Sequence, residues 1–128
     1  EAYFNCLYNN YYQRAKKSGL EFSLTKEEFA SITKKNCKYC GVMPVQHFCD
    51  KTLNGTYVYN GIDRISSSAG YTILNSAPCC KTCNYAKHYL TEEEFYKWIK
   101  RLIAFNKPIL PACTKSGKYS VIILFFAS

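Results

Sequence analysis

Residues 60–87 read NGIDRISSSAGYTILNSAPCCKTCNYAK. The stretch places an acid before a base (Asp63, Arg64), then a loop of small residues, an apolar segment ending in Asn75, and Cys80-Lys-Thr-Cys83 running through Asn84 to Lys87. A matching Cys37-Lys-Tyr-Cys40-Gly41 lies upstream. Two thiolates separated by two residues both reach one tetrahedral ion at about 2.3 Å, so Cys37, Cys40, Cys80 and Cys83 are expected to form a four-cysteine zinc site. Cys79 adjoins Cys80, but only Cys80 has two residues between it and Cys83. The remaining Cys6, Cys49, Cys79 and Cys113 leave disulfides or free thiols as the competing use. Zinc closed by four thiolates has no open coordination position and performs no reaction itself. Asp63 offers a hard carboxylate oxygen nearby, and Asn84 a carboxamide oxygen one residue past the second knuckle. Two such oxygens, with water and a substrate phosphate, are a usual way of holding Mg²⁺.

Working outward, residues 57–59 read as a strand that turns at Asn60-Gly61 into residues 62–65. Residues 66–70 form a loop, residues 71–74 a second strand of a hairpin, and Pro78 breaks it. Residues 81–88 then suit a short helix, which completes a strand, strand, helix unit clamped by metal at its base. Upstream, Tyr3, Phe4, Leu7, Tyr8, Tyr11, Tyr12 and Ala15 recur at helical spacing and give an aromatic face. That helix stops near Gly19, with Arg14, Lys16 and Lys17 suited to its negative end or to phosphate. Thr25-Lys-Glu-Glu28 is a capping box that opens a second helix with Phe29 and Ile32 inward. Thr91-Glu-Glu-Glu94 opens another, whose Phe95, Trp98 or Ile99, Leu102 and Ile103 make a stripe expected to be core. The segment after Gly41, through Pro44, His47, Asp50 and Asn54-Gly55, is polar and turn-rich, a loop or hairpin.

The 128 residues suffice for one domain with short extensions. Seventeen Lys and Arg against nine Asp and Glu leave a net charge of +8, which favours polyanionic partners, nucleic acid before acidic membrane. Twelve Tyr and eight Phe can stack on bases, although filling a small core is the default use of such rings. Paired C-x-x-C spacing and the lack of a leader suggest a reducing, intracellular compartment. The apolar residues 121–126 are far short of the roughly 20 that a spanning helix needs. They suit a terminal strand, or a contact in a homodimer, and no membrane anchor.

The order C-x-x-C, GIDR, GYT-x-x-N, C-x-x-C-N-x-x-K resembles the HNH endonucleases of the ββα-metal class, in particular the phage-like branch with a four-cysteine zinc. The resemblance covers residues 22–98, including the F-S-L-T-K-E-E-F start of the second helix. It implies an α+β protein with a small ββα-metal (HNH, His-Me finger) core, a structural zinc and flanking helices. Residues 1–36 would be a helical extension, 37–107 the nuclease domain and 108–128 a tail. The implied activity is divalent-metal-dependent hydrolysis of phosphodiester bonds in double-stranded DNA. Asp63 and Asn84 would bind the catalytic Mg²⁺ or Mn²⁺, Asn75 would brace the loop between the strands, and Lys87 would contact phosphate. Arg14 and Lys38 would extend the DNA footprint.

One position departs from the pattern. Where better-known members carry a water-activating His after the Asp, this chain has Arg64, which stays protonated to a pKa above about 12 and is a poor base. Arg64 is better suited to gripping the scissile phosphate, which leaves Tyr39, His47 and His88 as candidates for the base. The alternatives to a nuclease are a zinc-containing nucleic-acid-binding module without catalysis and a zinc-stabilised domain that binds protein.

Overall fold

Helix α1 (Ala2–Lys17) lays its aromatic face on helix α2 (Lys26–Thr33) in the computed structural model, which describes residues 1–48 and 55–106. The chain divides into two compact units, residues 1–92 and 93–128. Phe29 of α2 is fully buried, with the rings of Phe4, Tyr8 and Tyr11 packed edge-on at centroid distances of 5.9, 5.4 and 5.2 Å. Edge-to-face packing matches the positive ring edge to the negative ring face. Leu7, Leu24, Ile32 and Ile62 complete this core.

Three of the inward tyrosines place their hydroxyls on polar partners. Tyr8 Oη donates to the Leu24 carbonyl at 2.7 Å, Tyr57 Oη and Thr33 Oγ1 lie 3.0 Å apart, and Tyr11 Oη accepts from the Ile62 amide at 3.2 Å. The capping box forms as the spacing predicts: the Glu28 amide donates to Thr25 Oγ1, and the Thr25 amide donates to Glu28 Oε2.

The strands depart from the expected hairpin. Strand β1 (Gln46–Phe48) pairs antiparallel with β2 (Tyr57–Tyr59), and β3 (Gly61–Arg64) pairs antiparallel with β4 (Ser76–Cys79), as two separate two-stranded sheets. Asn60-Gly61 is therefore no turn but the point where the chain changes sheets. Asn60 is fully buried there: its amide donates to the Thr33 carbonyl, and its Nδ2 to the carbonyls of Lys35 and Val42.

The second strand of the β3–β4 pair begins at residue 76, not 71, and it contains Pro78. The register explains why proline is accepted. The Ile65 amide donates to the Asn75 carbonyl, so Asp63↔Ala77 and Gly61↔Cys79 are the hydrogen-bonded pairs, and Pro78 opposite Ile62 falls between them. An N–H at Pro78 would point away from β3, so its absence removes no ladder bond. Tyr71 instead bridges to Phe22, and Gly70 is required at that crossing because a side chain would run into the Glu21 backbone.

Helix α3 (Lys81–Lys87) follows β4 directly, and α4 (Glu92–Phe105) runs into the second unit. Within α4, Phe95 packs on Trp98 at 5.9 Å, and Glu93 pairs with Lys97 at 2.7 Å. Leu102 and Ile103, expected as core, are exposed. Periodicity specifies which residues share a face, not whether anything covers it. The terminal strand expected over residues 121–126 lies outside the described residues. No helix among the described residues is long and apolar enough to cross a membrane.

Candidate active site

The Sγ atoms of Cys37, Cys40, Cys80 and Cys83 all lie within 4.8 Å of one another. A tetrahedron of thiolates at about 2.3 Å from zinc has sulfurs about 3.8 Å apart, and Cys40 and Cys80 stand at 3.7 Å. The donor set therefore fits zinc. The first knuckle closes because the Gly41 amide donates to the Cys37 carbonyl and the Cys37 amide to the Val42 carbonyl. Gly41 has φ +75°, a left-handed conformation natural to glycine.

The second knuckle is the start of α3, where Cys80 is both ligand and N-cap, its Sγ accepting from the Cys83 amide at 3.4 Å. The Lys38 amide donates to the Pro78 carbonyl at 2.8 Å, which ties the two knuckles together through β4. Burial raises the Cys37 thiol, but backbone hydrogen bonds from Cys80, Cys40 and Tyr39 outweigh it and bring it down to about 6. Burial pushes Cys80 and Cys83 up. Cys79 is fully buried beside the cluster with its thiol also pushed up by burial, as expected of an inert packing residue.

Alternation along β3 sends Ile62 into the aromatic core and Asp63 to the opposite face. Asp63 is 5% exposed and doubly held. Tyr39 Oη donates to its Oδ2 at 2.7 Å, and Lys87 Nζ lies 3.1 Å from Oδ2 and 3.3 Å from Oδ1. Lys87 was expected to reach phosphate from the face of α3 that carries Asn84. It turns inward instead, at 1% exposure, and donates also to the Arg64 carbonyl at 3.2 Å. An ammonium without an anion is too costly to bury, and Asp63 is the anion it finds.

Removing one partner of such a pair leaves the other charge buried alone. Lys87→Met is expected to lower stability by about 3 kcal/mol, measured as a shift of the urea midpoint. A loss below about 1 kcal/mol would place the pair among weak surface bridges.

Arg64 points back over the loop. Its Nη1 donates to the carbonyls of Ser67 and Ala69 at 2.7 and 2.9 Å, and its guanidinium lies 5.5 Å from the Tyr71 ring centroid. Asn75 braces the same loop from inside. Its Nδ2 donates to the carbonyls of Ser66 and Gly70, and its Oδ1 accepts from the Ser66 amide at 2.8 Å.

Asp63, Arg64, Asn84 and His88 line one cavity of ≈ 120 Å³, together with Ser67 and Tyr71. Tyr39 is not in that lining. Burial, and then the adjacent Asp63, raise its phenol above the ordinary range, so it acts as a donor to the carboxylate. His47 sits in β1 with Nδ1 3.4 Å from Thr56 Oγ1, also outside the cavity. Lys38 pairs with Glu92 at 2.8 Å.

Of the three candidate bases, His88 alone reaches the cavity. It lies just past the end of α3 at φ +47°, a left-handed turn that takes it off the helical face on which spacing alone would put it.

A search of solved structures finds the rare-cutting HNH restriction endonuclease PacI, at a TM-score of 0.56 and 22% identity over 81% of this chain and 80% of that one. The chain has the HNH nuclease fold. β3, β4 and α3 follow one another as strand, strand and helix, with the four cysteines, positioned to hold a metal ion, at the start of the helix. An uncharacterised protein of Acanthamoeba polyphaga mimivirus is 38% identical over 85 residues, which are 66% of this chain. The matched part spans 14% of that relative's length. No family model matches the chain.

Proposed function

We propose that the chain is a divalent-metal-dependent endonuclease that hydrolyses phosphodiester bonds in double-stranded DNA. The observation that carries this reading is the convergence of Asp63, Arg64, Asn84 and His88 on one cavity beside the helix that starts at the four-cysteine cluster. A carboxylate offers about four lone-pair sites, and two donors hold Asp63, so oxygen remains for a cation. Asp63 and Asn84 would hold Mg²⁺ or Mn²⁺ there, both hard oxygen donors. Such an ion supplies charge that stabilises the transition state and acidifies water.

The chain's own groups do the rest. Arg64 keeps N–H donors beyond Nη1 and aims them at phosphate oxygens. His88 takes the proton from the attacking water. Tyr39 and Lys87 act as positioning residues, fixing the Asp63 carboxylate in one orientation. Arg14 and other cations supply salt-sensitive affinity for the duplex.

The test is incubation of the zinc-loaded chain with supercoiled plasmid and Mg²⁺ or Mn²⁺; absence of nicking sinks the reading. His88→Gln is expected to lower the rate about 10²-fold, with zinc content and DNA binding unchanged. A rate within about twofold of the native chain's would assign the proton elsewhere.

One observation favours the rival reading, a zinc-containing module that binds nucleic acid without cutting. Lys87 already neutralises Asp63 at 3.1 Å, where a divalent cation would otherwise do so. Tight DNA binding with no metal-dependent nicking would select it.

A further inference from the structure

A larger cavity of ≈ 460 Å³ lies on the other side of the Asn84–His88 ridge, between α1, β1, β2 and α3. That volume is within the range of about 300–1,000 Å³ typical of small-molecule sites. Asn84, His88 and Tyr89 line both cavities, so the two adjoin along one face of α3. Among the described residues, the larger one is lined by two cations, Arg14 and Lys81, and by no carboxylate.

It also holds the rings that the core did not take. Most tyrosines here pack inward, but Tyr85 and Tyr89 are 71% and 79% exposed. Lys81 Nζ stands 5.8 Å from the Tyr85 ring centroid, which makes cation and ring one patch. Gln46, on the opposite wall, has a buried Nε2 with no hydrogen-bond partner. A buried donor of that kind is satisfied by water or by a ligand acceptor. Positive charge interleaved with exposed aromatic faces suits a ligand that is anionic at one end and planar and apolar at the other.

We propose that this cavity binds one nucleotide of the strand being cut, next to the scissile phosphate. Its phosphate lies between Arg14 and Lys81, and its base lies against Tyr85 and Tyr89. The site rests on the nuclease reading for its position relative to the cut, and deepens it by naming where the neighbouring nucleotide goes.

The test is fluorescence anisotropy of a labelled single strand and of the matching duplex on the full zinc-loaded chain, with Ca²⁺ in place of Mg²⁺. Lys81 and Tyr85 are both exposed, so their replacement leaves the packing intact. Lys81→Ala and Tyr85→Ala are each expected to weaken binding about 10-fold. Lys81→Ala also lowers the salt slope by about one, whereas Lys97→Ala on α4 changes affinity less than about twofold. Equal binding by all three variants overturns the site, and so does an equal loss from Lys97→Ala, which would reduce the effect to net charge. If thymidine 5′-monophosphate binds through Lys81 and Tyr85 while the oligonucleotides ignore both substitutions, the cavity takes free nucleotides and the strand assignment falls.

Plasmid nicking measured in parallel separates the two readings. A chain that binds through these residues and never nicks removes the nuclease alone. A chain that nicks, and binds equally well without them, removes the nucleotide site alone.

Discussion

Stripping the metal from the four-cysteine cluster is expected to unfold the first unit, not merely to slow its reaction. Structural zinc contributes on the order of 10–16 kcal/mol in zinc-finger peptides, against a total stability of about 5–15 kcal/mol for ordinary domains. The aromatic core around Phe29 cannot substitute for it, because that core contains α1, α2 and Ile62 but no residue of β4 or α3. β4 is held by its ladder to β3 and by the Lys38–Pro78 bond, and α3 by the Cys80 and Cys83 knuckle and the Lys87–Asp63 pair, all of them polar attachments. Without zinc, the buried Cys37, Cys79 and Cys80 have Tyr39 and Cys83 packed against them and little apolar area to hold them together. Chelation followed by circular dichroism and thermal melting checks this, and Cys37→Ser with Cys80→Ser gives the same comparison without chelator. An apo chain that melts cooperatively within a few degrees of the zinc form would contradict it.

The second large effect belongs to Asp63. Asp63→Asn keeps the shape of the side chain and removes its charge, and nicking is expected to fall about 10³-fold. The substitution also strands Lys87, so a loss of stability would confuse the result. Combining Asp63→Asn with Lys87→Met removes both charges, and the pair is close enough to couple. The double variant is expected to regain most of the urea midpoint that either single change loses, with nicking still absent. Native-like nicking by the double variant would show that Asp63 serves packing alone.

The ligand set of the metal cluster was legible because its chemistry is local. Two residues between thiolates is a geometric requirement, and it selected Cys80 over Cys79 without knowledge of the fold. The capping box at Thr25 and the ring stripe of α1 were legible for the same reason, since each interaction closes within a helical turn or two.

What escaped was long-range. Pro78 read as a break because nothing local tells whether its missing N–H would have faced β3 or the open side. Asn60-Gly61 read as a turn because its dipeptide is turn-forming, whereas burial of Asn60 against α2 and the first knuckle makes it a crossing between sheets. Lys87 was expected at phosphate because the resemblance puts a phosphate contact at that position. Only the approach of Asp63 from another element makes an inward ammonium affordable. His88 escaped because its left-handed conformation just past α3, which turns it to the cavity, has no local signal in a non-glycine residue.

The alternation along β3 has a consequence for how such a molecule can diverge. Ile62 belongs to the aromatic core and also edges the cavity, whereas the Arg64 side chain meets the Ser67 and Ala69 carbonyls and the Tyr71 ring at the loop, so the two positions answer to different surroundings. Replacing the residue after Asp63 alters what the site can do to a proton while leaving the packing of Ile62, and the zinc cluster, untouched. A chain built this way can exchange one catalytic strategy for another by a single codon change, with its architecture inherited intact.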